Sequence, residues 1–388
     1  MSEVAQAPQL RFPEFSGEWE EKRFDSLYPT VRNGFVGVAT PYYVEEGVPY
    51  LQGKNIKSGA INRNGLVYIN ESFHQKSKKS QLRQNDIVMV QSGHVGECAV
   101  ITEEFEDTNC HALLVSTPTH DIDSKFYINY FYSKFGRKKI YRITTGNTIK
   151  HILSSDLKIQ TVSNPSYQEQ QKIAAFLAAV DSKIEQLSKK QALLGEYKKG
   201  LMQQIFSQVT RFKADDGCDF PDWEEKKLGD VSVRGTSNIS ANQLEDNNGD
   251  YKIYGAAGHL KNIDFYTEED CYVAIVKDGA GVGRIMLLES KTSVLGTLAI
   301  IKAKQGNDIN FLYWLIQTIN FRKYVVGSTI PHIYYRDYQA EKLRIPSLSE
   351  QTKIANFLSF IDSKIEQVGK QLDESKQFKK ALLQQMFV

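Results

Sequence analysis

The chain has 388 residues, 41% of them hydrophobic, which leaves room for two or three cores, and it lacks any apolar run long enough to span a bilayer. Its 48 Lys and Arg against 46 Asp and Glu leave a net charge of +2, so affinity for a polyanion has to come from local basic faces. Four cysteines, Cys98, Cys110, Cys218 and Cys271, form neither a C-x-x-C pair nor a zinc spacing, which argues against a disulfide framework or a metal site and for a reducing cytoplasm.

The N-terminal MSEVAQAPQL has no basic n-region and no apolar h-region, so no export signal is expected. The first body starts at Trp19-Glu20-Glu21-Lys22. Within it Asp86–Val90, Cys98–Ile101 and His111–Val115 read as short strands, and Phe126–Ile140 reads as one aromatic helix. Basic and amide residues gather in its loops: Arg32-Asn33, Lys54-Asn55, Arg63, then Lys76, Lys78, Lys79 and Arg83, with His94 further on. Lys and Arg suit phosphates and guanine edges, whereas Asn suits adenine. Taken singly, each also reads as a solvated surface residue; the dense run from Lys76 to Arg83 points most directly to phosphate.

The body closes on Gly146-Asn147-Thr148-Ile149-Lys150-His151-Ile152, with Thr148, Lys150 and His151 open either to a loop-shaping role or to a binding one. Pro165 follows, where a proline is tolerated, and then apolar residues recur in a seam at Ile173, Leu177, Val180, Ile184, Leu187, Leu194, Leu201 and Ile205. This 3.5-residue spacing predicts one long helix over 166–207, with a rise from Gln168 to Phe206 of roughly 58 Å at ~1.5 Å per residue.

After a short link, Ser207 to Pro221, the pattern starts again. Trp223-Glu224-Glu225-Lys226 repeats the first tetrapeptide, and Cys271–Val276, Arg284–Leu288 and Leu298–Ile301 read as strands ahead of a helix over Asn310–Val325. The second body offers Arg234, Asn238, Lys252, Tyr254, His259, Lys277 and Arg284 for contact. Gly327-Ser328-Thr329-Ile330-Pro331-His332-Ile333 matches the earlier loop at an offset of 181 residues, 146 to 327, and Thr329 and His332 are followed here by Tyr334-Tyr335-Arg336, which adds stacking and phosphate chemistry. Pro346 and a second seamed helix over 346–388 complete the repeat, with EQQKIAAFLAAVDSKIEQ from Glu169 answered by EQTKIANFLSFIDSKIEQ from Glu350.

Because the link is short, the second helix can bury its stripe on the first only by running back along it. The expectation is therefore an antiparallel coiled coil, related by a pseudo-two-fold axis, with Val388 finishing near the N-terminal segment. The helices read either as structure alone or as twin docking surfaces for two copies of one partner. Phe176 and Phe357 beside the seam, and Phe206 and Phe387 at the helix ends, are the candidate partner contacts.

Three motifs suggest other chemistry. Asn164-Pro165-Ser166-Tyr167 resembles the base-holding loop of amino-methyltransferases, but its repeat partner Ile345-Pro346-Ser347-Leu348 keeps only the proline. Asp278-Gly279-Ala280-Gly281-Val282-Gly283 is followed by strand-like Arg284–Leu288 and so reads as a turn between strands rather than a phosphate loop. Pro221-Asp222 with Glu225-Lys226-Lys227 is too tightly spaced to place nuclease ligands on separate strands. No catalytic constellation emerges.

With Pro-x-x-x-Glu-Gln opening both long helices, Gly-x-Thr-Ile-x-His-Ile ahead of each, and Trp-Glu-Glu-Lys leading into each body, the chain resembles the specificity subunit of Type I restriction-modification systems over essentially its whole length. The resemblance implies an α+β protein: target recognition domains over 1–165 and 208–345, and conserved long helices over 166–207 and 346–388. It implies that each body reads one half of a bipartite, asymmetric DNA site, that the helix pair sets the unread spacer, and that two methyltransferase subunits dock on it. It further implies a non-catalytic chain that binds no cofactor itself, with S-adenosylmethionine on the methyltransferase partner and ATP and Mg on the restriction partner. The competing expectation is a scaffold that holds two protein ligands and never meets DNA.

Overall fold

A computed structural model describes residues 7–388, so the first six residues of the stretch read for an export signal lie outside the described residues. The chain packs as two compact units, one built from the residues up to Ser188 together with Lys370–Val388, the other from Lys189–Gly369. Each unit thus takes one body and a part of both long helices, a division that cuts across the boundaries expected at 166–207 and 346–388.

In the first unit the strand Glu20–Arg23 pairs antiparallel with Thr161–Asn164, bringing the two ends of the body together. A four-stranded antiparallel sheet follows in the order Thr30–Asn33, Leu113–Thr117, Ile87–Val90, Cys98–Val100. Its central strand is buried along its length, and the pleat sorts it by period two. Ile87 and Met89 join a core with Trp19, Phe24, Phe126 and Tyr130, while Val88 and Val90 join a second with Leu51, Ile56 and Leu113. A smaller sheet, in the order Asn109–Cys110, Val48–Leu51, Val67–Ile69, Tyr43–Val44, covers the far side.

The second unit repeats this plan. Glu224–Lys227 pairs with Lys342–Ile345, and the main sheet runs Ser232–Thr236, Leu298–Ala303, Tyr272–Val276, Ile285–Leu288. Its small sheet is different, ordered Gly258–Ile263, Tyr251–Gly255, Ser293–Val294.

The expected strands lie where the sequence placed them within a residue or two, with three informative departures. Asp86 is not part of a strand; it is fully buried and accepts from Arg32 Nη2 and the Arg83 amide. The single helix expected over Phe126–Ile140 is two, Ser124–Tyr132 and Lys134–Arg142. Ser133 starts the second by accepting from the Gly136 amide, and Gly136 lies so close that a Cβ there would stand 2.1 Å from the Tyr130 carbonyl oxygen. Similarly, the helix expected over Asn310–Val325 stops at Ile316, and Asn320 caps a separate turn over Phe321–Tyr324.

The long helices span Tyr167–Phe206 and Leu348–Gln385. In the first unit Ile173 and Leu177 of one are buried with Leu382 and Met386 of the other in one core, and Leu187 is buried further along. In the second unit Ile205 is buried with Ile354 and Leu358. Lysines in each seam fix an antiparallel register: Lys379 meets Asp181 at 2.5 Å in the first unit, and Lys198 meets Asp362 in the second. Burying a leucine such as Leu177 contributes about 1.5–3 kcal/mol, so packing rather than helix propensity holds these helices.

The duplicated Glu-Gln pair turns out to be a joint between helix and body. Gln170 Nε2 donates to the Pro165 carbonyl (3.0 Å) while its Oε1 accepts from the Asp123 amide (3.0 Å), and Asp123 caps the helix Ser124–Tyr132. Gln351 does the same with Pro346 (3.0 Å) and Asp308 (2.9 Å). Glu169 is clamped by Arg11 through two bonds of 2.7 Å, and Glu350 by Arg211 at 2.9 and 3.4 Å. The residue after each arginine shields the helix: Phe12 packs edge-on against Phe176 (centroids 5.7 Å apart) and Phe212 against Phe357 (5.4 Å).

These contacts revise the four phenylalanines proposed as partner contacts. Phe387 is only 1% exposed and sits among Trp19, Phe126 and Tyr130, so it is a core residue and leaves the set. Phe176 and Phe357 are half-buried under their aromatic covers, and Phe206 is half-buried against Trp223 and Phe311. As expected, the end of the second helix lies by the N-terminal segment: the Leu10 amide donates to the Gln385 carbonyl, and Ser163 Oγ to the Val388 carbonyl.

Candidate nucleic-acid interface

Two loops meet in the same way in both units. After the buried strand Ile87–Val90 the chain turns through Ser92-Gly93-His94 and returns at Gly96-Glu97; the Gly93 amide donates to the Lys150 carbonyl and the Ile152 amide to the Gln91 carbonyl. In the second unit the turn after Tyr272–Val276 places the Gly279 amide on the Pro331 carbonyl and the Ile333 amide on the Lys277 carbonyl. Thr145 and His151 exchange a pair of backbone bonds, as do Val326 and His332. The glycine-rich run Asp278–Gly283 is therefore a turn between strands, as its sequence indicated.

Glycine is required here on two counts. Gly93, Gly146, Gly279 and Gly327 all adopt positive φ, and a Cβ on Gly96 would lie 2.8 Å from Ile140, on Gly283 3.1 Å from Phe321. The paired loops form a platform whose tips are left to solvent: Thr148 and Thr329 are exposed, and Ile149 and Ile330 are 58% and 60% exposed.

Beside this platform in the first unit opens a cleft of about 1120 Å³, lined among others by Lys54, Lys57, His94, Lys138, Tyr141 and Lys150. Lys54, Lys57, Lys138 and Lys150 have no acidic partner among the described residues, while Arg137 is paired with Glu97 at 3.0 Å and stacked on Tyr132. Burial alone would raise the Glu97 carboxyl, but the bonds it accepts from the Ser58 amide (2.7 Å), the Tyr132 hydroxyl (2.8 Å) and Arg137 outweigh that and hold it below the usual carboxylate value. The cleft accordingly presents an excess of unpaired positive charge over an anchored floor, an arrangement that a phosphate backbone neutralises. A second cleft of about 780 Å³, by Arg11 and Glu169, has its principal charges already paired with each other.

Of the residues singled out from sequence in the first body, Lys54, His94 and Lys150 line the cleft. Thr148 and His151 belong to the platform, where His151 Nδ1 lies 2.6 Å from Ser92 Oγ. Lys76, Lys78, Lys79 and Arg83 are exposed and without an acidic partner among the described residues, and Asn33 is exposed as well. Two others are structural. Arg32 donates to the Lys79 and Gln81 carbonyls, Thr117 and buried Asp86, which occupies four of the five N–H groups of its guanidinium. Asn55 is fully buried, accepting from the Gln52 amide and donating to the Asn62 carbonyl. Arg63 is exposed but paired with Glu104 and placed over Phe105.

In the second body Arg234 and Asn238 are exposed. Lys252 is paired with Glu289 at 2.5 Å, His259 hydrogen-bonds Asn262 at 2.9 Å beside half-buried Tyr254, and Lys277 is half-buried behind the platform. Arg284 donates to the Ala256 carbonyl at 2.6 Å. Thr329, His332, Tyr334 and Arg336 cluster at the platform, with Arg336 4.9 Å over the Tyr334 ring and His332 5.5 Å from it. Tyr335 is structural, its hydroxyl 3.1 Å from Ser232 Oγ and its ring against Tyr338.

Sequence reasoning missed Lys57, Lys138 and Tyr141. The signal was present, since Lys134–Arg142 reads KFGRKKIYR, but merging that stretch with the aromatic helix before it hid a basic face. Among the described residues no group of three or more His, Cys, Asp or Glu side chains could hold a metal ion, and no helix is long and apolar enough to cross a membrane.

A model of the family described as the Type I restriction modification DNA specificity domain matches residues 16–194 and again residues 221–374. The chain belongs to this family. It carries the specificity domain twice, once for each body. It is 24% identical over 397 residues to a putative type I restriction enzyme MjaX specificity subunit from Methanocaldococcus jannaschii, covering 95% of this chain and 93% of that one. It is 28% identical over 174 residues to the EcoDI specificity subunit from Escherichia coli, covering 42% of this chain and 37% of that one. Among solved structures, the S subunit of a Type I restriction-modification system from M. genitalium superposes with a TM-score of 0.67 at 18% identity, over 98% of this chain and 99% of that one, a likeness of fold.

Proposed function

We propose that this specificity protein is the DNA-reading subunit of a Type I restriction-modification complex, in which each body reads one half of a split, asymmetric site. The observation that carries the reading is the cleft with four unpaired lysines beside a loop platform that recurs in the second unit. Lysines neutralising phosphates supply sequence-independent affinity, and the side chains presented next to them discriminate bases. Two bodies with one platform and unlike small sheets are suited to two different half-sites, with the long helices setting how many base pairs stay unread between them.

The chain in this reading is non-catalytic and acts in the cytoplasm. Two methyltransferase subunits dock on it and supply S-adenosylmethionine chemistry; restriction subunits, where present, bring ATP and Mg. The deciding experiment is a binding selection on a random-sequence duplex library with the chain and its partner methyltransferase together. The expected result is enrichment of two short motifs at a set spacing, with affinity falling steeply as salt rises. A scaffold for two protein ligands would enrich nothing.

A further inference from the structure

The residue that follows the platform glycine occupies the same backbone slot in both units. Glu97 comes after Gly96, and its carbonyl accepts from the Val90 amide at 2.8 Å; Arg284 comes after Gly283, and its carbonyl accepts from the Val276 amide at 2.9 Å. From this shared slot the two side chains reach a hairpin contributed by the unlike part of each body. Glu97 accepts from the Ser58 amide at the tip of the hairpin Ile56–Lys57/Ala60–Ile61, whose turn residues Ser58 and Gly59 have φ of 52° and 85°. Arg284 donates to the carbonyl of Ala256, at the tip of the hairpin Tyr251–Gly255/Gly258–Ile263.

The two side chains have opposite charges, and the backbone groups they meet have opposite polarity. A carboxylate faces an N–H in one unit, and a guanidinium faces a C=O in the other. Surface residues placed without a role have no reason to match the hairpin in front of them in both copies. The first hairpin is held further by the Tyr132 hydroxyl, which lies 2.9 Å from the Gly59 amide and donates to Glu97. This arrangement fixes Lys57 and Ser58 on the wall of the basic cleft.

We infer that Glu97 and Arg284 are positioning residues for DNA reading, each locking the recognition hairpin of its own unit onto the common platform, and so each governing one half of the target. The inference rests on the proposed DNA-reading function. It assigns the bases nearest the Lys57-Ser58 tip to the control of Glu97, and those nearest the Ala256 tip to the control of Arg284. A tip that swings freely loses discrimination more than total binding, because the lysines still find phosphate.

The test uses the full chain with its partner methyltransferase and a random-sequence duplex library, and reads the preference at each half-site separately. Glu97→Ala is expected to reduce discrimination at one half-site by about tenfold or more, the scale of a lost charge-assisted hydrogen bond, and to leave the other half-site intact. Arg284→Ala should do the reverse. Glu97→Gln retains an acceptor for the Ser58 amide and should restore most of the preference, whereas Glu97→Arg places like charge beside Arg137 and should be worse than alanine. Should Glu97→Ala fail to fold, Glu97→Asp withdraws the carboxylate by one methylene while keeping its charge, and should show the same one-sided loss. Equal losses at both half-sites, or none, overturn the inference while the wild type still enriches a motif. A wild type that enriches no motif overturns the function itself, and the inference with it.

Discussion

The same three residues share a carboxylate differently in the two units. In the first, Arg11 takes both oxygens of Glu169 at 2.7 Å, and the buried Trp19 indole N–H has no partner among the described residues. In the second, Arg211 holds Glu350 more loosely, at 2.9 and 3.4 Å, and Trp223 Nε1 donates to the same carboxylate at 3.0 Å. The joint between body and helix is thus built from matching residues, but one copy concentrates its bonding on the arginine and the other divides it. A duplicated motif therefore preserves a connection more faithfully than it preserves the hydrogen bonds that make it.

That contrast can be broken most severely at the carboxylates. Glu350→Ala removes the acceptor that Arg211 and the Trp223 indole share, leaving Arg211 only Asp222 and the Phe220 and Pro221 carbonyls, and should cost about 3–5 kcal/mol, localised to the second unit; Glu169→Ala leaves Arg11 its bonds to the Ser16 and Gly17 carbonyls and takes an acceptor from no indole, and should cost less. Urea denaturation followed by hydrogen exchange on each unit would check the order, and an equal loss in both would contradict the asymmetry. The indoles sharpen it further. Trp223→Phe removes a bond to a charged group and should cost about 1.5–3 kcal/mol by denaturation, whereas Trp19→Phe removes no bond and should stay under that.

On the DNA side, Lys57→Ala and Lys138→Ala, in the cleft of the first unit, should each lower the salt slope of binding by about 0.9 while leaving the preferred motif unchanged. The smallest effect concerns pH. The folded carboxyl of Glu97 is depressed, so its contribution is present above the unfolded value of about 4.3 and is lost as pH falls through the folded value. Wild type and Glu97→Gln should therefore differ by about 1 kcal/mol near neutrality and converge in acid, as read from urea midpoints across pH.

Periodicity made the long helices legible, because every seam position from Ile173 to Ile205 and from Ile354 to Met386 is buried or half-buried in the folded chain. The glycine turn at Asp278–Gly283 was legible for the same reason: strand-like residues follow it. What stayed hidden is depth. Asn55 and Arg32 look like loop residues by type, yet their polar atoms are spent on the Gln52, Asn62, Gln81 and Asp86 groups that sequence separation conceals. The straps Arg11-Phe12 and Arg211-Phe212 were in plain view at a spacing of 200 residues, 11 to 211, but that differs from the 181 of the helices, so the match did not stand out. Ser133 divided an otherwise continuous helical stretch through a single cap, a choice that an average over a window cannot reveal.

Gln170 and Gln351 each grip two unrelated backbone groups with the two ends of one amide. Slipping either helix by a single residue would swing that amide by about 100° around the axis and release both grips at once. The angle at which a body leaves its rod is consequently indexed, in the manner of a keyed shaft, and sequence drift elsewhere in the body can proceed without loosening it.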